Sequence, residues 1–131
     1  MATVPLLSDE EAGAEALAVL DDIRAKRQTD YVNSFWRALA HDPAALRATW
    51  ERAQAVMAPG ALDPLVNALI YGAVSTVNGC SYCVHSHTAA AHAKGMTDAI
   101  HGEMPAVIAM AAQTNALATA LQVPVDDRFL T

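Results

Sequence analysis

The sequence predicts an all-α fold, a single-domain bundle of about six or seven helices spanning residues 1–131. Three observations carry that expectation. The chain is 53% hydrophobic yet only 5% aromatic, with much of the apolar fraction alanine, a composition that favours closely packed helices. Apolar residues recur three and four apart in one segment after another, and no segment alternates as a half-buried strand would. Finally, Asp-Pro pairs at 42–43 and 63–64 and glycines at 60, 79 and 95 punctuate the chain at the places where helices should start and stop. At 131 residues one domain is the expectation from length. A charged fraction of 17% is low for a lone monomer and fits a subunit partly covered by sister copies.

Ser8 and Glu11 match a capping box, in which each side chain satisfies the other residue's amide. A first helix is therefore expected to start there and run to about Lys26. Ala16, Leu17, Leu20 and Ile23 give it an inward stripe, and Asp21, Asp22 and Arg24 a charged face. Tyr31 to Ala40 carries Phe35, Trp36 and Leu39 at the same spacing. At His41-Asp42-Pro43 the chain stops and restarts, because aspartate caps a new helix and proline fits its first turn without losing a needed amide. Leu46, Trp50, Ala53 and Met57 form the stripe of that helix, and Pro59-Gly60 ends it. Asp63-Pro64 repeats the signal. Leu65 to Val77 is so uniformly apolar that burial on most sides is expected, and Asn78-Gly79 tolerates the left-handed turn that stops it. The next helix begins at a cysteine-containing stretch and runs to Lys94, with Gly95 as terminator. Thr97 is expected to cap a short helix and Pro105 to open a long last one through Ala109, Ala112, Ala116 and Leu121. The tail, Pro124 to Thr131, has no helical period.

Several function classes drop out at this level. A net charge of −6 repels phosphate backbones, and no lysine or arginine cluster is interleaved with aromatics, so no nucleic-acid partner is expected. No apolar run reaches the ~20 residues that span a bilayer, so no membrane partner is expected either. Met1 to Leu7 lacks the basic start and the length of a signal peptide, which points to the cytoplasm.

The reactive side chains concentrate in Gly79-Cys80-Ser81-Tyr82-Cys83-Val84-His85-Ser86-His87, which holds both cysteines of the chain. On a helix advancing ~100° per residue, Cys80, Cys83 and His87 share an arc of about 60°. The cysteines, at i and i+3, are close enough for a disulfide without unwinding the helix. His87, one turn past Cys83, can take its proton or stabilise its thiolate. The opening turn of a helix also lowers a thiol's pKa from ~8.5 into a range of roughly 3.5–7.5. A reactive pair competes with a buried structural pair, since free cysteine is among the most buried residue types. Zinc fails on geometry, because Cys80 and His87 lie two turns, ~10.5 Å, apart on a continuous helix and no second cysteine pair exists. No metal or other cofactor is expected. A thioredoxin-like reductase needs a βαβ setting that the pattern lacks. His85 and His92 fall opposite the cysteines and read as solvated or interface residues, and His41 and His101 as surface histidines. Tyr82 faces away from the stripe. Trp36 and Trp50 read as core anchors, although with Tyr71 and Met57 they are also the candidates for pocket walls.

Val77-Asn78-Gly79-Cys80-Ser81-Tyr82-Cys83-Val84-His85-Ser86-His87-Thr88, followed by Lys94-Gly95-Met96, resembles the core motif of the AhpD-like alkylhydroperoxidase family within the carboxymuconolactone decarboxylase superfamily. Ala58 to Pro64 and Asp30 to Trp36 are similar to its peroxidase-related branch. The resemblance implies a symmetric homo-oligomer, commonly a trimer or hexamer, and a chemistry in which Cys83 attacks a hydroperoxide, Cys80 condenses with the resulting sulfenic acid and His87 relays the proton. Helix electrostatics favour Cys80 as the thiolate; the choice of Cys83 rests on its base one turn away. An external dithiol, a lipoyl-bearing or thioredoxin-like protein in related systems, would reduce the disulfide. The family pattern also places a glutamate twelve residues before the first cysteine, to orient the histidine or act as base of the relay, and this chain has Ala68 there. Such a loss typically costs on the order of 10²–10⁴ in rate. Three expectations follow: an alkylhydroperoxidase-like enzyme of low activity, a redox-sensing or binding protein of the same fold, and a lyase like the lactone decarboxylases, which the cysteine pair disfavours.

Overall fold

The computed structural model describes residues 1–130. Six α-helices are found among them: α1 (Ala14–Arg27), α2 (Ser34–Leu39), α3 (Pro43–Met57), α4 (Pro64–Val77), α5 (Ser81–Ala93) and α6 (Asp98–Ala120), followed by a 3-10 turn at Asp127–Phe129. No strand occurs among the described residues. The chain divides into two compact units, residues 1–58 and 59–131.

In the first unit the capping box forms as the sequence predicts, with the Ser8 amide donating to Glu11 Oε2 at 2.9 Å and the Glu11 amide to Ser8 Oγ at 3.3 Å. It closes only a single turn, because Gly13 is extended and α1 begins at Ala14. The helix starts later than expected because glycine, which loses most entropy in a helix, interrupts propagation. Ala16, Val19, Leu20 and Ile23 of α1 pack with Trp36 of α2 and Leu46 and Trp50 of α3. The Trp36 and Trp50 rings meet edge to face at 5.5 Å. The Trp50 indole N–H donates to Asp22 at 2.7 Å, which lets a polar tip sit at the margin of an apolar core. Asp42 caps α3 as expected, accepting from the Ala45 amide at 3.0 Å.

The second unit pairs α4 with α5 and lays α6 on α4. Asp63 caps α4 by accepting from the Leu65 amide at 2.8 Å. Ala68 of α4, Ala91 of α5 and Met96 form its buried cluster, flanked by Leu65, Leu69 and Ile100. Where α6 crosses α4 the helix surface is a glycine: a Cβ on Gly72 would lie 3.2 Å from Met104 Cε.

Two expectations for this unit are corrected. α4 is not buried on most sides; Val66, Ile70, Val74 and Val77 are 40–69% exposed, because α5 and α6 cover only its Ala68, Gly72 and Ser75 face. Instead of a short helix and a long one, α6 is continuous over 23 residues with Pro105 inside it. One proline removes a single i to i−4 bond, and the Thr97 cap, which accepts from the Ile100 amide at 3.2 Å, together with the alanine-rich flanks carries the helix through. None of the residues of α6 is buried. No helix among the described residues is long and apolar enough to cross a membrane.

Candidate active site

The cysteine stretch is positioned by the way α4 ends. The Cys80 amide donates to the Ser75 carbonyl at 3.0 Å and the Gly79 amide to the Thr76 carbonyl at 3.1 Å, with Gly79 at φ 68°. This is a Schellman closure, and its left-handed residue is glycine because a Cβ there would be strained. The residue that completes the closure, Cys80, is at once the N-cap of α5. Termination of one helix and initiation of the next thus share a cysteine.

Cys80 sits one residue outside α5, and Cys83 is the third residue within it. They are joined by a disulfide with Cα atoms 5.2 Å apart, inside the range such a bond accepts. The Cys80 sulfur also accepts the Cys83 amide at 3.3 Å, one of the donors that a helix start leaves unpaired. Both cysteines are half-buried. Neither α4 nor α5 contains an Asp, Glu, Lys or Arg, and the positive end of α5 lies at the cysteine pair.

His87 lies one turn beyond Cys83 on α5 and is half-buried. Its imidazole stacks on the Tyr71 ring of α4, with centroids 3.6 Å apart and planes inclined by 23°. Tyr71, a candidate pocket wall from the sequence, is thereby joined to His87, a pairing that depends on the relative register of two helices and is not written in either one. At Ala68 there is no gap: the residue is 1% exposed and packed against Ala91 and Met96. Ser75 uses its hydroxyl within α4, donating to the Tyr71 carbonyl at 2.7 Å.

The other candidates fall elsewhere. His85 and His92 are exposed; His92 Nδ1 donates to the Met96 carbonyl at 3.0 Å and its ring meets His101 edge-on at 5.4 Å. His41 Nε2 donates to the Pro5 carbonyl at 2.8 Å. Glu51, Asp98 and Glu103, the acids that could stand in for one missing at position 68, are all exposed. Trp36 and Trp50 belong to the core of the first unit, and Tyr82 is 44% exposed.

Comparison with known proteins agrees with the motif. The profile of the Carboxymuconolactone decarboxylase family matches residues 43–126. A crystal structure of the alkylhydroperoxidase AhpD core from Rhodospirillum rubrum superposes with a TM-score of 0.95 at 61% identity, covering 100% of this chain and 98% of that one. No curated protein matches the chain. A family profile that covers more than half the sequence, the close structural match and the cysteine motif agree: the chain belongs to the carboxymuconolactone decarboxylase family, as an AhpD-like member.

Proposed function

We propose that this protein is a thiol-dependent peroxidase that reduces an organic hydroperoxide or hydrogen peroxide through a dithiol–disulfide cycle of Cys80 and Cys83. The observation that carries the reading is the disulfide across the first turn of α5, with His87 one turn further along the same helix. In the reduced chain His87 takes the Cys83 proton and the thiolate attacks the distal peroxide oxygen. The O–O bond breaks, the alkoxide leaves with the proton that His87 holds, and Cys83 becomes a sulfenic acid. Cys80 then attacks the Cys83 sulfur, forming the disulfide and releasing water. Thiol exchange with an external dithiol, a lipoyl-bearing or thioredoxin-like protein, returns both thiols and closes the cycle.

The exposed apolar residues of α4 and the 23 unburied positions of α6 support assembly into a homo-oligomer, a trimer or hexamer, because exposed contiguous apolar surface of this kind marks a protein contact. A second reading, a redox sensor of weak turnover, is favoured by one observation: the place of an orienting acid is taken by buried Ala68. Peroxide consumption with dithiothreitol in excess separates the two. A peroxidase consumes peroxide well above the rate of an equal concentration of free thiol and loses this in Cys83→Ser. A sensor cycles between dithiol and disulfide without turnover.

A further inference from the structure

We propose that Tyr71 is a positioning residue for His87, acting through the face of its ring and not through its hydroxyl. The inference rests on the reading of His87 as the base for Cys83, and deepens it. The stack is close and nearly parallel, 3.6 Å between centroids and 23° between planes, and it joins two helices whose packing is fixed by other residues. Ala68 of α4 and Ala91 of α5 are buried in one cluster between them. A ring held on one face keeps its plane, with its two nitrogens at the edge, where a proton is taken or given.

The charge on the stack adds to this. The face of a phenol ring is the negative region of its quadrupole and attracts a cation. When Cys83 gives its proton to His87, a neutral pair becomes a thiolate and an imidazolium, and Tyr71 favours the second state over the first. The arrangement therefore orients the imidazole and stabilises its working charge through the face of the ring. Packing alone does not account for Tyr71, which is 45% exposed and stands in a helix otherwise made of aliphatic and small residues. A filler would be met equally well by leucine.

That contrast supplies the test. In a Cys80→Ser chain Cys83 is the sole thiol, and its alkylation by iodoacetamide at neutral pH reads thiolate formation without any peroxide. Tyr71→Leu is expected to slow alkylation on the order of tenfold, and Tyr71→Phe, which keeps the ring face, to bring it back to within about twofold of the parent. In a chain already carrying His87→Ala, Tyr71→Leu should add nothing, since two residues acting as a unit are not additive. The imidazole protons of His87 should show a ring-current shift that Tyr71→Phe keeps and Tyr71→Leu loses. Equal alkylation of the Tyr71→Leu chain and its parent overturns the proposal, as does an effect of the same size with and without His87. If His87→Ala itself leaves alkylation unchanged, both the base assignment and the role of Tyr71 fail. Peroxide turnover by the unsubstituted protein is read separately. Its absence with the coupling intact removes the peroxidase and leaves Tyr71 holding the base of a redox-active dithiol; its presence without coupling removes Tyr71 alone.

Discussion

The sulfur of Cys80 accepts the amide of Cys83 at 3.3 Å, so the residue that closes the disulfide is also the N-cap of α5. An amide donor and the positive end of a helix both favour a thiolate over a thiol. In a Cys83→Ser chain, Cys80 is therefore expected to be alkylated with a pH midpoint clearly below the ~8.5 of a free thiol. A midpoint at or above that value would show that the cap has no electrostatic effect. A well-stabilised thiolate is also the better leaving group in exchange. The incoming dithiol should thus attack Cys83 and release Cys80, and the mixed disulfide trapped by acid quench in the unsubstituted chain should be found on Cys83, with Cys80 as the free thiol; a mixed disulfide on Cys80 would reverse the assignment.

Much of the local structure of this candidate site is legible in the sequence. The Asn78-Gly79 stop, the Cys80 and Cys83 spacing and the position of His87 are all local features, set by hydrogen bonds within a few residues, and local chemistry is what a sequence displays. The same holds for the caps at Asp42, Asp63 and Thr97. The misses have two physical causes. Where Pro105 meets α6 and Gly13 meets α1, the balance between a breaker and its helix-forming neighbours is close, and a single-residue rule does not settle it. The Tyr71 stack and the exposed side of α4 depend on how helices sit against one another. An apolar run states that something will cover it, not whether the cover is the same chain.

That last point has a measurable consequence. Val66, Ile70, Val74 and Val77 recur at helical spacing along the exposed side of α4, and a charge on such a stripe opposes burial against a second copy. Ile70→Glu or Val74→Glu is expected to reduce the mass measured by light scattering from that of an oligomer to that of a single chain, while the helical circular dichroism persists. A parent protein already of single-chain mass at micromolar concentration would remove homo-oligomerisation through this face.

Acid should act on the first unit through Asp9. Its carboxylate accepts from Arg24 Nη2 at 2.7 Å and from Arg37 Nη1 at 3.1 Å. The Arg24 hydrogen bond, with that of Arg37 and the charge of both guanidinium groups, holds its pKa below the ordinary carboxylate value. A depressed folded-state pKa contributes stability above the unfolded value of ~3.9, and that contribution is lost as pH falls from there through the lowered folded value. The side chain is 40% exposed, so solvent screening keeps the whole effect to about 1 kcal/mol or less. Asp9→Asn should lower the melting temperature slightly at pH 7 and by less at pH 2. An equal loss at both values would mean that the residue acts through packing or the turn it sits in.

A carboxylate at position 68 asks whether this chain has room for the acid that the resemblance leads one to expect there. Ala68 is 1% exposed and lies among Ala91, Met96, Leu65 and Leu69, one turn before Tyr71 on the same helix. Ala68→Glu would carry a carboxyl group into apolar packing, and burial without a partner favours its neutral form. The substitution should destabilise the chain by roughly 2–3 kcal/mol or more. Its sign with pH is fixed as well: a carboxyl with a raised folded-state pKa loses stability as pH climbs past the unfolded value of ~4.3. The difference in melting temperature between variant and parent should accordingly be smaller at pH 4 than at pH 8. The reverse dependence, with the variant recovering at pH 8, would mean that the carboxylate is ionised and held by a cation. It would then be a substitute for the stack in orienting His87, and peroxide turnover should rise with it.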